Sequence, residues 1–282
     1  MGNNQVIDTA QFRLARHHLD NPVRVSQARI PGVHQDGLSG GSHDQRGCSA
    51  LHIYPVNIEP AVLGTRFNRL QIQQQSQQAY HITNTEAVQA QGSFFSSVNL
   101  DLGGELVRNN LNVLMGGEGA GCMLNGLYMV TGSQHVDNQV IIDHAKGHTT
   151  ARELYKGILD GKSRSVFHGS IIVREGAVKV DSEQADKNLL LSDQAEADTK
   201  PAFWVYCDDV RCIHGAACGQ IDENALFYLR SRGLSEQAAR RFLTRGFATE
   251  VVDSIEYEPY RTHVHGLVQG ILHEWLGGEE MT

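Results

Sequence analysis

A chain of 282 residues, of which 40% are hydrophobic and 20% charged, is long enough to bury a core and has the composition of an ordinary globular protein. Its formal net charge of −8 and pI near 5.9 argue against nucleic acid and anionic membrane surfaces as partners, because both attract clustered Lys and Arg. The first residues lack the features of a secretory signal and no apolar run approaches the length of a membrane span, which favours a cytoplasmic location.

Residues 1–45 contain Gly, Ser, His and Asp without periodicity, and we expect an irregular or disordered segment there. From residue 46 to residue 222, short runs of alternating polar and apolar residues are separated by corners with Gly or Asp. This pattern predicts an all-β core. A parallel β-helix fits it because successive coils cover each other's apolar faces, but a sandwich or a jelly roll fits as well.

The pattern changes after Asp222, where three segments carry apolar residues at helical spacing. Ser235 is placed to cap the second of these helices, and Gly233 and Gly277 are placed to end helices. Residues 223–282 are therefore expected to form a small helical region after the β core.

The densest group of potential metal ligands lies near the end of the β core. Five cysteines are an odd number, which favours free thiols or metal ligands over a disulfide framework. Cys212 and His214 would face the same side of a strand, since they are two residues apart. The others have no regular relation to that pair, so the group is compatible either with a metal site or with small buried cysteines and acidic corners. Its members are Cys207, Asp208, Asp209, Cys212, His214 and Cys218.

A second polar group suggests metal binding or acid–base chemistry, although its spacing matches no established ligand set. It comprises His135, Asp137, Asp143, His144, Lys146 and His148. The alternative function that follows is a carbohydrate-active enzyme on a β-helix, which would use Asp137, Asp143, His144 and Lys146 in an open groove. The sequence contains no GxxxxGK[ST] motif and no GxGxxG motif, which argues against ATP turnover by this chain.

Four segments in a fixed order carry a family resemblance: HVDNQVIIDHAKGHTTARELYKGIL at 135–159, SRSVFHGSIIVREGAVKVDSEQADKNLLLSDQAEADTKP at 163–201, DDVRCIHGAACGQIDENALFYLRSRG at 208–233, and the following ARRFLTRGFATEVVDSI. From about residue 100 to residue 256 the chain resembles the core shared by SufB and SufD, the paired subunits of the Suf iron–sulfur cluster assembly machinery. The resemblance implies a right-handed parallel β-helix followed by a small C-terminal helical region. It also implies a non-enzymatic scaffold that pairs with SufB and binds the SufC ATPase through residues 223–282. The family's usual N-terminal helical region has no counterpart in residues 1–45.

Two positions make the resemblance closer to SufD than to SufB. In the SufB pattern a cysteine follows the glutamine that matches Gln184, and a glutamate follows the histidine that matches His214. This chain has Ala185 and Gly215 at those positions.

The same resemblance implies a metal site that this chain completes only with a partner. His214 matches a SufD histidine that faces SufB and is implicated in assembling the nascent cluster, and Cys212 matches a cysteine of that pattern. The expected cargo is iron or a nascent iron–sulfur cluster, shared transiently with SufB, and no cofactor is expected to belong to this chain alone. The resemblance assigns no role to Cys207 or Cys218, and self-pairing remains an alternative to pairing with SufB.

Overall fold

The fold consists of thirteen strands followed by three helices within the described ranges. The computed structural model describes residues 63–277 with their side chains, and Arg24–Ser26 and Leu51–Glu59 by their backbone alone. The elements are β1 Arg24–Ser26, β2 Leu51–Glu59, β3 Arg66–Gln73, β4 Tyr80–Gln89, β5 Phe94–Asp101, β6 Leu106–Met115, β7 Gly121–Val130, β8 His135–His144, β9 Thr150–Leu159, β10 Arg164–Val173, β11 Val180–Leu190, β12 Glu196–Val205, β13 Val210–Gly219, α1 Glu223–Ser231, α2 Glu236–Val252 and α3 Glu258–Leu276.

The strands alternate between two sheets. The even sheet has the order β1-β2-β4-β6-β8-β10-β12, and the odd sheet has the order β13-β11-β9-β7-β5-β3. All pairs are parallel except β1 with β2, and successive coils stack in register, as where Arg164 pairs with both His135 and Glu196. The result is a parallel β-solenoid of about five turns with three helices after it. The predicted β-helix is therefore confirmed over the sandwich and the jelly roll.

Burial alternates from residue to residue along β4, β6, β8 and β10 of the even sheet, as the alternating sequence predicts. On β8 the inward residues Val136, Asn138, Val140, Ile142 and His144 are buried, while their neighbours reach the surface. A main apolar core fills the space between the two sheets. The same burial pattern recurs on neighbouring strands, so every coil adds one layer to this core.

Glycine is required where the corners of adjacent coils stack directly. Gly132 and Gly161 both have positive φ values, of 61° and 64°. A Cβ atom on Gly161 would lie 2.8 Å from the backbone nitrogen of Gly132, which is closer than such atoms approach. The corners can therefore stack only without side chains, which accounts for part of the high glycine content.

The C-terminal helices cover the outer face of the odd sheet. Val98, Leu127 and Ile158 on that face form one buried cluster with Val252 of α2 and Val264 of α3. The predicted helix signals are confirmed, since the Ser235 hydroxyl accepts a hydrogen bond from the Ala238 amide. Gly277 ends α3 with a φ of 57°.

A nearly buried lysine fixes α2 to the odd sheet. The Nζ of Lys156 donates to the Phe247 carbonyl at 2.8 Å and lies 2.5 Å from a carboxylate oxygen of Glu250. It also lies 4.4 Å from the centre of the Phe247 ring. The side chain of Lys156 is 5% exposed, so its charge is compensated almost entirely by α2.

Two expectations concern parts of the chain that are described only in part. The irregular segment expected at residues 1–45 lies outside the described residues, except for β1. Within the described helices, none is long and apolar enough to cross a membrane.

Phe167 provides a test of the core. Its ring is fully buried and lies 4.9 Å from the Tyr155 ring. We expect Phe167→Ala to lower the free energy of unfolding by about 3–5 kcal/mol, because the cavity cannot be refilled. Phe227 is 74% exposed, so Phe227→Ala should change the free energy of unfolding by less than about 0.5 kcal/mol. Urea unfolding followed by circular dichroism measures both, and equal effects would contradict the assigned core.

Candidate functional site

The solenoid ends in an open coil formed by β12 and β13. Within the described residues β12 pairs only with β10, and β13 pairs only with β11. Nearly every residue of β13 is exposed, and so are Trp204, Tyr206 and Ile213 of this coil and its corner. The open coil thus presents two strand edges and several large apolar side chains to its surroundings.

Cys212 and His214 lie on the inner side of the open coil. Their register partners on β11 are Ser182 and Gln184, which are buried and face the interior. The His214 ring stacks on the Phe203 ring across the coil, with centroids 4.2 Å apart and an angle of 19°. The structure therefore agrees with the predicted common orientation of the thiol and the imidazole. It places both at the uncovered end of the core.

The other members of this group do not join the pair. Asp209 forms an ion pair with Lys179 at 2.8 Å, Cys207 packs against the main core, and Cys218 is exposed farther along β13. Among the described residues, no group of three or more His, Cys, Asp or Glu side chains is placed to hold a metal ion. A complete metal site within this chain thus has no support in the described geometry.

The thiols of the open coil are held in their protonated form. Burial, followed by the negative charge of Asp181, raises the pKa of Cys212. Burial and the charge of Asp186 raise the pKa of Cys218 in the same way. Both thiols consequently need a metal ion or another cation to stabilise their thiolate forms.

The polar group on β8 is divided between two faces of the even sheet. Asp137 and Asp143 lie on the outer face, where Asp137 pairs with Arg108 at 2.5 Å and Asp143 with Arg174 at 2.6 Å. Six residues of strand separate the two carboxylates by about 20 Å. Each is a cross-strand ion pair rather than part of one site.

His144 lies on the opposite, inner face of β8. It is fully buried, with ring nitrogens 2.7 Å from the Thr149 hydroxyl and 3.2 Å from the Ser182 hydroxyl. Burial lowers its pKa to about 4, so the ring is neutral. Lys146 lies at an exposed corner. These four residues therefore do not form the groove that the carbohydrate-active enzyme would need, and that alternative loses its basis.

The structure also shows buried polar residues beneath the open coil that sequence reasoning missed. Gln184 donates from Nε2 to Oε2 of Glu153 at 2.7 Å, and the Tyr128 hydroxyl donates to Asn188 at 2.6 Å. Burial raises the pKa of Glu153 to about 8 and that of Asp186 to about 6. One feature of the sequence indicated their burial. Gln184, Asp186 and Asn188 are each an even number of residues from the apolar Val180, so they lie on the same inward face of the strand.

The two positions expected to distinguish SufD from SufB are neighbours in the structure. Ala185 on β11 pairs in register with Gly215 on β13. Both lie on the outer face of the odd sheet, opposite to the face of His214. A chain with a cysteine and a glutamate there would have two ligands side by side, and this chain has neither.

A family comparison decides the identity of the core. Residues 61–247 match the family model described as SUF system FeS cluster assembly, SufBD core domain. This chain belongs to the SufBD core family. The match spans β3 to most of α2, and so includes the open coil and the start of the helical region.

Individual relatives agree with this assignment. The iron-sulfur cluster assembly protein SufD of Escherichia coli is 35% identical over 186 residues, which cover 66% of this chain and 44% of that protein. A SufBD family protein of Mycobacterium leprae is 31% identical over 240 residues, covering 82% of this chain and 60% of that protein. A SufBD family protein of Synechocystis is 33% identical over 183 residues, which cover 65% of this chain and 40% of that protein. The chain thus spans about half the length of these curated relatives, and its SufD-like character is confirmed.

Thiol reactivity tests the geometry of the site. The four cysteines that the structure describes are free, with Cys218 exposed and Cys122 buried. We expect iodoacetamide to modify Cys218 first and Cys122 only after unfolding, because burial blocks access and raises the pKa of the Cys122 thiol. Cys212 should react at an intermediate rate. Mass spectrometry of timed digests measures the order, with modification in denaturant as the control, and equal rates for Cys122 and Cys218 in the folded protein would contradict this geometry.

Proposed function

We propose that this chain is a SufD-like scaffold subunit of the Suf iron–sulfur cluster assembly complex. In this proposal it pairs with SufB, binds the SufC ATPase, and assists iron entry and nascent cluster assembly at the interface with SufB. The open coil supports the proposal, because it carries His214 and Cys212 on the inner side of an unpaired strand end. The chain acts as a non-enzymatic cytoplasmic subunit, and ATP hydrolysis belongs to SufC.

Unpaired strand edges favour a partner at the open coil. Exposed edges bind other strands readily, and proteins therefore shield them or use them for assembly. Here the edges are accompanied by Trp204, Tyr206 and Ile213, which are exposed apolar side chains of the kind enriched in interface cores. The end of a second SufBD solenoid would offer strand edges of the same kind. SufB is the proposed occupant, and a second copy of this chain is the alternative.

The ligand chemistry also requires a partner. Cys212 and His214 are two residues apart on one face, about 7 Å between Cα atoms, which allows a thiolate and an imidazole to reach one iron ion. These groups suit iron and iron–sulfur clusters. Two ligands leave a tetrahedral iron incomplete, and the remaining ligands would come from SufB. Iron and the cluster are cargo in this scheme, shared between the two subunits for the duration of assembly.

The C-terminal helices supply the proposed SufC-binding surface. On α1, Phe227 is 74% exposed and Tyr228 is 56% exposed. Two adjacent aromatic side chains on one helix are costly to leave in water and are typical of interface hot spots. Because Lys156 fixes α2 to the odd sheet, a movement of the helices would be transmitted to the β core.

His214→Ala tests the proposed iron ligand. In a complex reconstituted with SufB and SufC, we expect cluster formation to fall by on the order of tenfold or more, since even residues that only orient a ligand contribute about 10- to 100-fold to metal affinity. Visible absorbance together with iron and sulfide analysis measures the loss. The thermal midpoint of the isolated chain should change little, because His214 is exposed and only its stacking on Phe203 is lost.

His168→Ala is the matched control, because His168 lies on the outer face of the even sheet and contacts Gln139 there. It should leave cluster formation unchanged. Undiminished assembly in the His214→Ala complex would refute the proposed role of His214.

Phe227→Ala tests the SufC-binding surface. We expect the affinity for SufC to fall by roughly tenfold or more, the effect of removing an aromatic hot spot of about 2 kcal/mol. Isothermal titration calorimetry measures the affinity. Tyr257→Ala, which removes a 60% exposed aromatic at the start of α3, is the control for a general loss of apolar surface. A larger effect at Tyr257 than at Phe227 would move the surface away from α1.

A further inference from the structure

Polar side chains run through the core beneath the open coil, where an apolar filling would be usual. We call this set the inner polar lane. Each of its members is buried and faces the space between the two sheets. They are Tyr128, Glu153, Ser165, Gln184, Asp186 and Asn188.

Several oxygen atoms of the lane have no hydrogen-bond partner in the protein. Oε1 of Glu153, Oε1 of Gln184 and Oγ of Ser165 are all buried and unpaired. Glu153 is only 3% exposed and Gln184 only 1%. Buried polar atoms are almost always paired, and where the protein offers no partner an internal water molecule usually does so.

Glycines keep the lane from being filled by other side chains. A Cβ atom on Gly169 would lie 1.8 Å from Nε2 of Gln184, and one on Gly157 would lie 2.3 Å from Oδ1 of Asn188. Gly169 therefore creates the space in which the Gln184 amide reaches Glu153. Glycines on both sheets thus leave room for these polar side chains.

The lane points towards the open coil. Glu153, Gln184 and His214 occupy the same register position on β9, β11 and β13. Successive strands of a sheet lie about 4.8 Å apart, so the Glu153 position is about 10 Å from the His214 position. Gln184 lies between them and already binds Glu153 at 2.7 Å.

Glu153 can hold a proton in this setting. Burial raises its pKa to about 8, with a further contribution from the charge of Asp186 on β11. The titratable neighbours Cys122 on β7 and Tyr155 on β9 stay neutral, since burial raises the pKa of each. Ser165 and Phe167, on the opposing strand β10, do not titrate. Glu153 and Asp186 are therefore the groups of this part of the core that exchange protons near neutral pH.

We propose that the inner polar lane is a hydrated proton path, in which internal water connects the free oxygens of Glu153 and Gln184 and carries a proton between Glu153 and the open coil. The part that this path would play in cluster assembly rests on the proposed function. Ligands release protons when they bind a metal, and a partner that covers the open coil would block direct release to solvent. In molecules whose Glu153 is ionised, a fraction that grows as the pH rises through about 8, an O–H bond forms on the carboxylate as the S–H bond of Cys212 breaks, and Glu153 becomes a neutral acid.

Infrared spectroscopy of the purified full chain tests the lane without any partner. At neutral pH we expect the carbonyl band of a protonated carboxylic acid, which disappears as the pH is raised through about 8. Glu153→Gln should remove the band, Glu153→Asp should keep it at a shifted frequency, and Asp186→Asn should leave it in place. On transfer to D2O the band should shift within minutes, because water reaches the lane.

Two spectroscopic results would overturn the lane. One is the absence of any acid band that the Glu153 variants alter, provided that their thermal midpoints show a folded protein. The other is a Glu153 band that stays unshifted after hours in D2O, which would mean that the core is dry.

The pH dependence of cluster assembly tests the use of the proton. In the complex with SufB and SufC, Glu153→Gln should slow assembly several-fold and remove the inflection near pH 8, whereas Glu183→Gln, an exposed carboxylate of β11, should change neither. An unaltered pH profile in Glu153→Gln would refute the proton role. Failure of the proposed function gives a different result, with assembly unaffected by His214→Ala while the infrared band of Glu153 persists.

Discussion

The hydrogen-bonded stacking of parallel strands in register is the constraint on which the rest of this structure depends. Because each coil repeats the position of the one before it, residues at matching positions form straight columns through the solenoid. One column contains Leu124, Glu153, Gln184 and His214. A side chain at the open coil is thereby placed by the core residues behind it, and the chemistry of the end depends on the chemistry of the interior.

Much of the fold could be predicted from the sequence, because alternation and corner glycines are local signals. The shared face of Cys212 and His214 followed from their spacing alone. The placement of Asp137 and His144 on opposite faces of β8 could also be predicted, because the two residues are an odd number of positions apart. The interior of β11 could not be predicted in this way. Both faces of that strand carry polar side chains, as at Glu183 and Gln184. The usual difference between a polar face towards solvent and an apolar face towards the core is therefore missing.

The open coil illustrates why part of a functional site cannot be predicted from one chain. The spacing of Cys212 and His214 indicates a pair of ligands but neither their exposure nor the stacking on Phe203, which comes from the other sheet. Exposure depends on where the solenoid stops adding coils. Nothing in the residues of β13 itself marks it as the last strand, since its inward row continues the pattern of β11.

The pairing of Ala185 with Gly215 has an evolutionary consequence. Neighbouring residues on one strand, such as His214 and Gly215, project to opposite sides and share no side-chain contacts. A terminal strand therefore carries two rows that selection can alter separately, one towards the interior and one towards the exterior. Two descendants of a common ancestor can exchange which row binds metal while the backbone stays the same, and a pair of unequal subunits can arise from one scaffold by a few point substitutions.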